Sequence, residues 1–211
     1  DMPITFGRMF MLPVLARLKQ QHPGLEIDAR LSDAYVDLVK DGIDVAIRAG
    51  DLQDSTLVAK RFASQQLVLV AAPDYLAHHG TPAALEELAA HRHILFRMPT
   101  SGRDRPQQFS QGRRPVVLQP GHGMRLNDGE AMVRAAVLGL GLTQVPDYMV
   151  AADLAAGHLR EVLPEHRPPV MPIHAVMPAN RMVPARVRVL LEALDGLDPD
   201  RPGGGRRAGG E

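Results

Sequence analysis

Short apolar runs alternate with segments of helical period along almost the whole chain, and this alternation predicts an α/β fold. In residues 9–21, apolar side chains recur at the i, i+3, i+4 and i+7 positions from Met11 onward, which predicts an amphipathic helix. Because Pro13 is tolerated only near a helix start, we expect the first turn to begin close to position 9. Residues 2–6 and 25–31 are predicted strands on either side of this helix.

The same criteria divide the rest of the chain into short elements. Strands are predicted at residues 43–47, 57–62, 65–72, 93–97, 116–118, 124–126, 142–145, 159–163 and 172–177. Helices are predicted at residues 34–40, 73–79, 82–91, 130–138, 146–156 and 183–194. Residues 99–114 show the least pattern and are predicted to form a surface loop. The Gly-rich and Arg-rich tail at 198–211 has too little apolar area to bury and is predicted to be disordered.

The charge balance narrows the classes of partner. The 211 residues contain 24 Lys and Arg and 24 Asp and Glu, so the formal charge is zero. Surfaces that bind nucleic acid or anionic membranes usually carry a basic excess, so we do not expect this stretch to be such a surface. No apolar run approaches the ~18–20 residues needed to cross a bilayer, and no signal peptide opens the chain. We therefore predict no membrane partner and a cytoplasmic location.

Signals for enzymatic chemistry are weak. Gly139-Leu-Gly-Leu-Thr-Gln resembles the opening of a dinucleotide fingerprint, but it lacks the last glycine and lies between a helix and a strand in the reverse of the required order. The adjacent His78 and His79 point about 100° apart on a helix and have no acidic partner at i+4. Cysteine is absent, which excludes thiolate catalysis, disulfides and cysteine-ligated metals. We predict a chain that is not an enzyme and needs no metal or cofactor.

Five segments follow one another in a specific order and spacing across residues 2–195. They are Leu12-Pro13-Val14-Leu15-Ala16-Arg17-Leu18, Leu31-Ser32-Asp33, Gly42-Ile43-Asp44-Val45-Ala46-Ile47-Arg48, Asn127-Asp128-Gly129-Glu130-Ala131 and Ala135-Ala136-Val137-Leu138-Gly139-Leu140-Gly141-Leu142. Together they resemble the effector-binding (regulatory) domain of LysR-type transcriptional regulators. Each segment alone is a weak signal, and their combination makes the resemblance specific.

The resemblance implies an α/β fold of two Rossmann-like lobes joined by two crossover strands, as in type 2 periplasmic binding proteins. Residues 65–72 and 172–177 are the expected crossovers. Lobe I is then expected at residues 1–66 plus 172–197, and lobe II at residues 67–171. Members of the family carry an N-terminal winged helix-turn-helix and a linker helix, which we expect to be absent from this chain. DNA would be contacted through that absent N-terminal domain.

Candidate effector-binding residues follow from the expected topology. In open α/β sheets, ligands sit beyond the carboxyl ends of strands, where helix N-termini offer unpaired N–H groups. We expect such junctions to face one cleft between the lobes. The predicted effector-binding residues are Phe6, Gly7, Arg8, Ser32, Asp33, Arg48, Gly50, Phe96, Arg97, Asn127, Asp128, Thr143, Gln144 and Pro146. Because cations near helix N-termini are unfavourable unless an anion is nearby, Arg8 and Arg97 favour a small acidic effector.

Several candidates have an alternative role in capping helices. Ser32 stands where an N-cap is expected and is at least as well explained by that role. Asn127 and Asp128 are better explained as capping residues, because Asp-Gly before an apolar run is itself a helix start. These three residues contact an effector only if their caps leave donors or acceptors for it.

Two further candidates have other structural alternatives. Phe6 is compatible with a place in the hydrophobic core. Arg48 is compatible with a surface ion pair to Asp44 or Asp51, a kind of contact that contributes about 0–1 kcal/mol. Either alternative would remove the residue from the effector site.

The leading functional hypothesis is an effector-sensing domain of a LysR-type DNA-binding regulator that binds a small molecule between its lobes. The resemblance implies a homodimer or homotetramer, with the predicted helices at residues 9–21 and 82–91 as contacts. The alternative is a solute-binding protein of a transport system, which would use the same cleft without coupling to DNA. An enzyme on this fold is disfavoured, because no convergent nucleophile–base set is visible.

Overall fold

The computed structural model describes residues 1–50, 57–179, 183–195 and 197. The chain forms two compact units: unit 1 combines Asp1–Gln65 with the segment from Met171 onward, and unit 2 is Gln66–Val170. The chain therefore passes from one unit to the other twice, after Gln65 and after Val170. The predicted disordered tail at 198–211 lies outside the described residues.

The structure contains ten strands and six α-helices within the described residues. The strands are β1 (Ala46–Ala49), β2 (Leu57–Gln65), β3 (Leu67–Ala71), β4 (His93–Phe96), β5 (Gln107–Gln111), β6 (Arg114–Leu118), β7 (Gly123–Leu126), β8 (Leu142–Pro146), β9 (Arg160–Val162) and β10 (Met171–Pro178). The α-helices are α1 (Ile4–Phe6), α2 (Leu12–Gln21), α3 (Pro73–His79), α4 (Gly129–Val137), α5 (Asp147–Ala155) and α6 (Ala185–Leu194). A π-helical segment spans Gly7–Met11, and 3₁₀ helices span Leu85–Ala90 and Pro164–His166.

The beginning of the chain differs from its predicted structure. The predicted strand at residues 2–6 is wrong, because α1 begins at Ile4 and Met2 makes only an isolated bridge to Leu31. From α1 the chain stays helical through the π-helical segment and α2, so the helix starts well before position 9.

The π-helical segment ends at Met11, two residues before Pro13. The N–H of Leu12 donates to the carbonyl of Gly7, five residues earlier, and α2 starts directly afterwards. Pro13 is the second residue of α2, but the chain is already helical before it, so its missing N–H leaves one hydrogen bond of the continuous helical run unmade. The expectation that Pro13 stands near the helix start is therefore wrong, because the run begins at Ile4.

Residues 25–40 contain neither the strand nor the helix that their sequence predicts. Residues 25–30 belong to no strand, and residues 34–40 form no helix, with a turn only at residues 38–42. The Asp37 carboxylate accepts from the N–H groups of Val39 and Lys40, both at 3.1 Å. A short polar side chain that bonds to its own backbone in this way competes with helical hydrogen bonding. Of the apolar side chains in this segment, Leu38 is buried, whereas Tyr35 and Val39 are exposed.

Unit 1 is built on an antiparallel sheet in the order β1-β10-β2. Ala46 of β1 and Val176 of β10 form a buried cluster with Leu38 and Ile43 from the preceding loop. The side-chain amine of Lys60 in β2 donates a hydrogen bond to a backbone carbonyl of α6 at 3.1 Å. The loop and α6 thus hold the sheet into the unit.

Unit 2 contains a five-stranded mixed sheet in the order β7-β4-β8-β3-β9. Successive residues of β3 contribute to two different clusters: Val68 and Val70 pack with α4 and α5, and Leu69 and Ala71 pack with α3. This strand is buried on both faces, as its continuous apolar run predicts.

The predicted loop at residues 99–114 is wrong in part, because β5 pairs with β6 in an antiparallel hairpin. Phe109 anchors this hairpin in the cluster beside α3 and is 3% exposed. The predicted helix at residues 82–91 is a shorter 3₁₀ helix, Leu85–Ala90. Across the residues that the structure describes, no helix is both long enough and apolar enough to cross a membrane.

Candidate functional site

Arg48 lies near the end of β1, and its guanidinium faces a buried carboxylate. Arg48 Nη2 lies 2.7 Å from Asp1 Oδ1, and the two side chains are 12% and 1% exposed. Arg48 Nη1 also donates to the carbonyl of Ile47 at 3.0 Å. Burial lowers the pKa of Arg48, but a guanidinium stays protonated across the physiological range. The residue therefore holds a permanent charge in a largely dry environment.

The predicted surface partner of Arg48 is different from the observed one. Asp44 pairs with Arg186 instead, through contacts of 2.8 and 3.0 Å. The hydrogen bonds from Arg186 lower the pKa of Asp44. The other suggested partner, Asp51, lies outside the described residues.

The Asp1–Arg48 pair leaves hydrogen-bonding capacity unused. Neither carboxylate oxygen of Asp1 makes a hydrogen bond in the described part of the chain, and neither does Arg48 Nη2. Their 2.7 Å separation is that of an ion pair whose angles do not suit a hydrogen bond. Because buried charged groups are normally hydrogen-bonded, these three atoms are an exception in this unit.

Three residues that were not among the predicted effector contacts lie on the same sheet face as Arg48 or against its guanidinium. His174 of β10 is the cross-strand partner of Arg48, and Arg61 of β2 is the partner of His174. Cross-strand partners project to the same face of a sheet. Tyr35 lies on the guanidinium of Arg48, with its ring centroid 5.7 Å from the Cζ atom. His174 Nδ1 is buried without a partner in the described residues.

One of these residues was visible in the sequence. His174 interrupts the apolar run at residues 172–177, which is predicted as a buried strand. A polar residue inside such a strand is a signal for a site. Its pairing with Arg48 could not be foreseen, because it depends on the register between β1 and β10.

The side chain of Asp33 accepts a hydrogen bond from the backbone at the start of the first helical run. Asp33 Oδ1 accepts from the N–H of Ile4 at 3.2 Å, at the beginning of α1. The Ser32 hydroxyl accepts from the N–H of Ala34 at 3.1 Å, in a segment that is not helical. The N-cap alternative for Ser32 is therefore wrong, and Asp33 supplies the negative charge that this helix start favours.

Phe6, Gly7 and Arg8 lie inside the helical run, not at a junction after a strand. Phe6 is 2% exposed and packs edge-on against Phe62, as its core alternative predicts. Gly7 is also buried, whereas Arg8 is exposed. Gly50 has φ +95° and its N–H donates to a carbonyl of β10 at 2.9 Å, which closes the end of β1.

The predicted residues before α4 and in β8 serve structural contacts. Asp128 is the N-cap of α4, and its Oδ1 accepts from the N–H of Ala131 at 2.7 Å. The neighbouring Asn127 is exposed. Thr143 has no exposed surface, and its hydroxyl donates to the carbonyl of Ile94 at 3.1 Å. The structure thus gives no support to an effector contact at Thr143.

Gln144 is the central residue of β8, and Pro146 is its last residue. The amide of Gln144 donates to the carbonyl of Gln108 at 2.6 Å and accepts from the N–H of Gln108 at 2.8 Å. This pair of bonds fastens β5 beside β8 and uses both polar atoms of the side chain. Pro146 is buried and provides the N-cap position of α5.

Phe96 and Arg97 follow one another at the end of β4. Phe96 is 8% exposed, and the guanidinium of Arg105 lies 4.4 Å from its ring centroid. Arg97 Nε donates to Asp104 Oδ1 at 3.2 Å. In the part of the chain that the structure describes, no group of three or more His, Asp or Glu side chains could hold a metal ion.

A family profile for the LysR substrate binding domain matches residues 1–197. The chain belongs to this family. It is 31% identical over 185 residues to the HTH-type transcriptional regulator CrgA of Neisseria meningitidis, which covers 87% of this chain and 61% of that protein. It is 32% identical over 197 residues to the regulator PtxR of Pseudomonas aeruginosa, with 91% and 61% covered. The substrate-binding domain thus spans less than two thirds of these curated relatives.

Solved structures of the family share the fold. The full-length structure of AphB, a virulence activator of Vibrio cholerae, matches with a TM-score of 0.78 and 26% identity over 92% of this chain and 66% of that one. The CrgA structure from Neisseria meningitidis matches with a TM-score of 0.76 and 29% identity over the same shares, 92% and 66%. The predicted family and the predicted α/β fold of periplasmic-binding-protein type are confirmed. The comparisons give no support to the transport alternative.

Proposed function

We propose that this chain is the effector-sensing domain of a LysR-type transcriptional regulator and contributes to its oligomerisation. Its family membership supports this function, as do the relatives that are named as transcriptional regulators. DNA would be bound by a segment outside these 211 residues. In this proposal the domain is cytoplasmic, catalyses no reaction, and passes on the presence of a small molecule.

The Asp1–Arg48 pair is the observation that carries the proposed effector site. The pair is buried, charged and incompletely hydrogen-bonded. Tyr35 and His174 beside it offer an aromatic surface and a ring nitrogen that has no partner among the described residues. A few convergent polar groups within an apolar unit are typical of small-molecule sites.

The effector is proposed to be a small acid that also carries hydrogen-bond donors. Arg48 can hold a carboxylate with a charge-assisted hydrogen bond through Nη2, which forms an ion pair with Asp1 but no hydrogen bond. Asp1 competes for the same guanidinium and needs donors for its two oxygens. A hydroxy acid or an amino acid would satisfy both partners, whereas a plain carboxylate would satisfy only Arg48.

Binding would act on the regulator by shifting a conformational equilibrium. A ligand changes such an equilibrium only as far as it prefers one conformation over another. A ligand that completes the Asp1–Arg48 pair would favour the conformation in which the two groups face each other. This preference would then be passed to the DNA-binding segment.

A panel of hydroxy acids, amino acids and plain carboxylates tests the proposed site by thermal unfolding. A ligand at 100 times its dissociation constant stabilises the protein by about 2.7 kcal/mol. We expect Arg48→Ala and His174→Ala to weaken a confirmed ligand at least tenfold. Arg17→Ala, an exposed change on α2, is the matched control and is expected to leave affinity unchanged. If both site variants bind like the unmodified chain, the proposed site is wrong.

A further inference from the structure

A second arginine cluster lies in unit 2 and lines a cavity of about 740 Å³. Its charged lining residues are Arg97, Arg103, Asp104, Arg105 and Arg125. Four arginines and one aspartate give this cavity a formal charge of +3, although the whole chain has a formal charge of zero. Such a local concentration of one sign raises the local concentration of oppositely charged ligands.

Asp104 orients two of these arginines. Arg125 Nε donates to Asp104 Oδ2 at 2.9 Å, and Arg97 Nε donates to Asp104 Oδ1 at 3.2 Å. The terminal nitrogens of Arg125 donate to the carbonyls of Gly123 and Gly121 at 3.1 and 3.5 Å. The terminal nitrogens of Arg97 have no hydrogen-bond partner in residues 1–50, 57–179, 183–195 and 197. Arg97 therefore keeps both ends of its fork for a ligand.

The loop that carries these arginines is fixed by its own backbone. The N–H of Met98 donates to the carbonyl of Arg103 at 2.9 Å, and the N–H of Arg105 donates to the carbonyl of Phe96 at 2.8 Å. The guanidinium of Arg105 also lies 4.4 Å from the ring centroid of Phe96. These contacts hold the cavity in shape without a ligand, and a preformed site loses less entropy on binding.

We propose that this cavity binds a small polyanion, a molecule with two or more carboxylate or phosphate groups. Guanidinium forks match the geometry of both groups and can bind them through two parallel hydrogen bonds. A single negative charge would leave most of the local positive charge unbalanced, so several anionic groups are favoured. The cavity volume lies within the range of about 300–1,000 Å³ that small-molecule sites occupy. The site would act in addition to the one at Arg48 and does not depend on it.

Citrate, pyrophosphate and acetate, titrated by calorimetry at low ionic strength, test this proposal. We expect citrate or pyrophosphate to bind with submillimolar affinity and acetate to bind at least tenfold more weakly. Arg97→Gln and Arg103→Gln are each expected to weaken polyanion binding at least tenfold. If one variant is unstable, the other is sufficient for the test. Both residues are exposed, so neither substitution removes a buried contact. A difference between citrate and pyrophosphate identifies which anionic group the cavity prefers.

Arg113→Gln is the matched control. Arg113 is exposed in the turn between β5 and β6 and does not line the cavity, so this substitution removes the same charge from the same unit without touching the site. It is expected to change the affinity less than twofold, and so is Arg17→Gln, an exposed change on α2 in unit 1. An equal loss in the Arg113→Gln variant would show that only the net charge matters and would overturn the site. The absence of citrate and pyrophosphate binding up to 10 mM would overturn it as well.

Discussion

Replacing Arg48 by Met would leave the buried Asp1 carboxylate without the guanidinium that faces it at 2.7 Å. Breaking a buried ion pair in this way costs about 3–5 kcal/mol, because the remaining charge stays desolvated. We expect the double variant Asp1→Asn/Arg48→Met to recover a large part of this loss. Urea unfolding of both single variants and the double variant measures the coupling. Additive single effects would show that the two side chains do not interact.

Asp128→Ala removes a side-chain cap and tests the alternative role that the sequence favoured for this residue. Its carboxylate accepts from the N–H of Ala131 at 2.7 Å, so the change is expected to cost about 0.5–2 kcal/mol. Asn127→Ala is the matched control, because Asn127 is exposed and should change the free energy of unfolding by less than about 0.5 kcal/mol. Equal losses in both variants would contradict the capping role.

The sequence offered the observed roles of Asp128 and Phe6 as alternatives to effector contacts, whereas the equally local N-cap role that it offered for Ser32 is wrong. The cap at Asp128 and the core position of Phe6 follow from the residues beside them. The partner of Arg48 could not be found in this way, because Asp1 is remote in sequence and nearby aspartates looked suitable. The Asp33 cap on Ile4 was missed for the same reason.

Acidification is expected to destabilise the junction between the 3₁₀ helix Leu85–Ala90 and β4. The Tyr75 hydroxyl accepts from the N–H of Arg92 at 2.9 Å, so its proton is donated to His91 Nδ1 at 3.2 Å. His93 bonds through Nε2 to the carbonyl of Leu88 at 2.8 Å. Burial lowers the pKa of both imidazoles, so both rings are neutral in the folded protein.

Below a pH of about 6.5 the unfolded chain binds more protons at these two histidines than the folded chain does. The free energy of unfolding should therefore fall as pH decreases from 7.5 to 5.5, by at most about 1.4 kcal/mol per pH unit for each ring. Urea unfolding across this range measures the slope. The double variant His91→Gln/His93→Gln should flatten it, and the exposed His78→Gln should not. An unchanged slope in the double variant would contradict this origin.

At the scale of elements, continuous apolar runs gave reliable predictions and alternating patterns did not. The run at residues 65–72 became β3, buried on both faces. The alternating residues 25–31 and the apolar positions at 34–40 formed no strand or helix, because local side-chain bonds compete with regular structure. Of the hairpin, β6 was predicted in part, at residues 116–118, and β5 was missed because four of its five residues are polar.

The whole molecule combines a neutral charge with a positive cavity, and this contrast was invisible in the composition. The formal charge of zero argues against a surface for nucleic acid or membranes on the chain as a whole. It could not show that four arginines meet around one cavity, because they come from β7 and from the loop after β4. The family resemblance, in contrast, could be recognised from the sequence, because it depends on the order and spacing of motifs along the chain and not on single contacts.

Oligomerisation remains a prediction at the scale of the whole molecule. The outward surface of the first helical run exposes Met9 and Leu12, at 45% and 44%. Exposed apolar side chains on one helix suit an interface between copies, and the resemblance implies one there. We expect sedimentation velocity to give dimers or larger assemblies, and Leu12→Glu to weaken the association at least tenfold. Val117→Glu, at an exposed apolar position in β6, is the matched control and should leave the association unchanged. A strict monomer at high concentration would contradict this prediction, because then nothing would cover the apolar side chains of the helix.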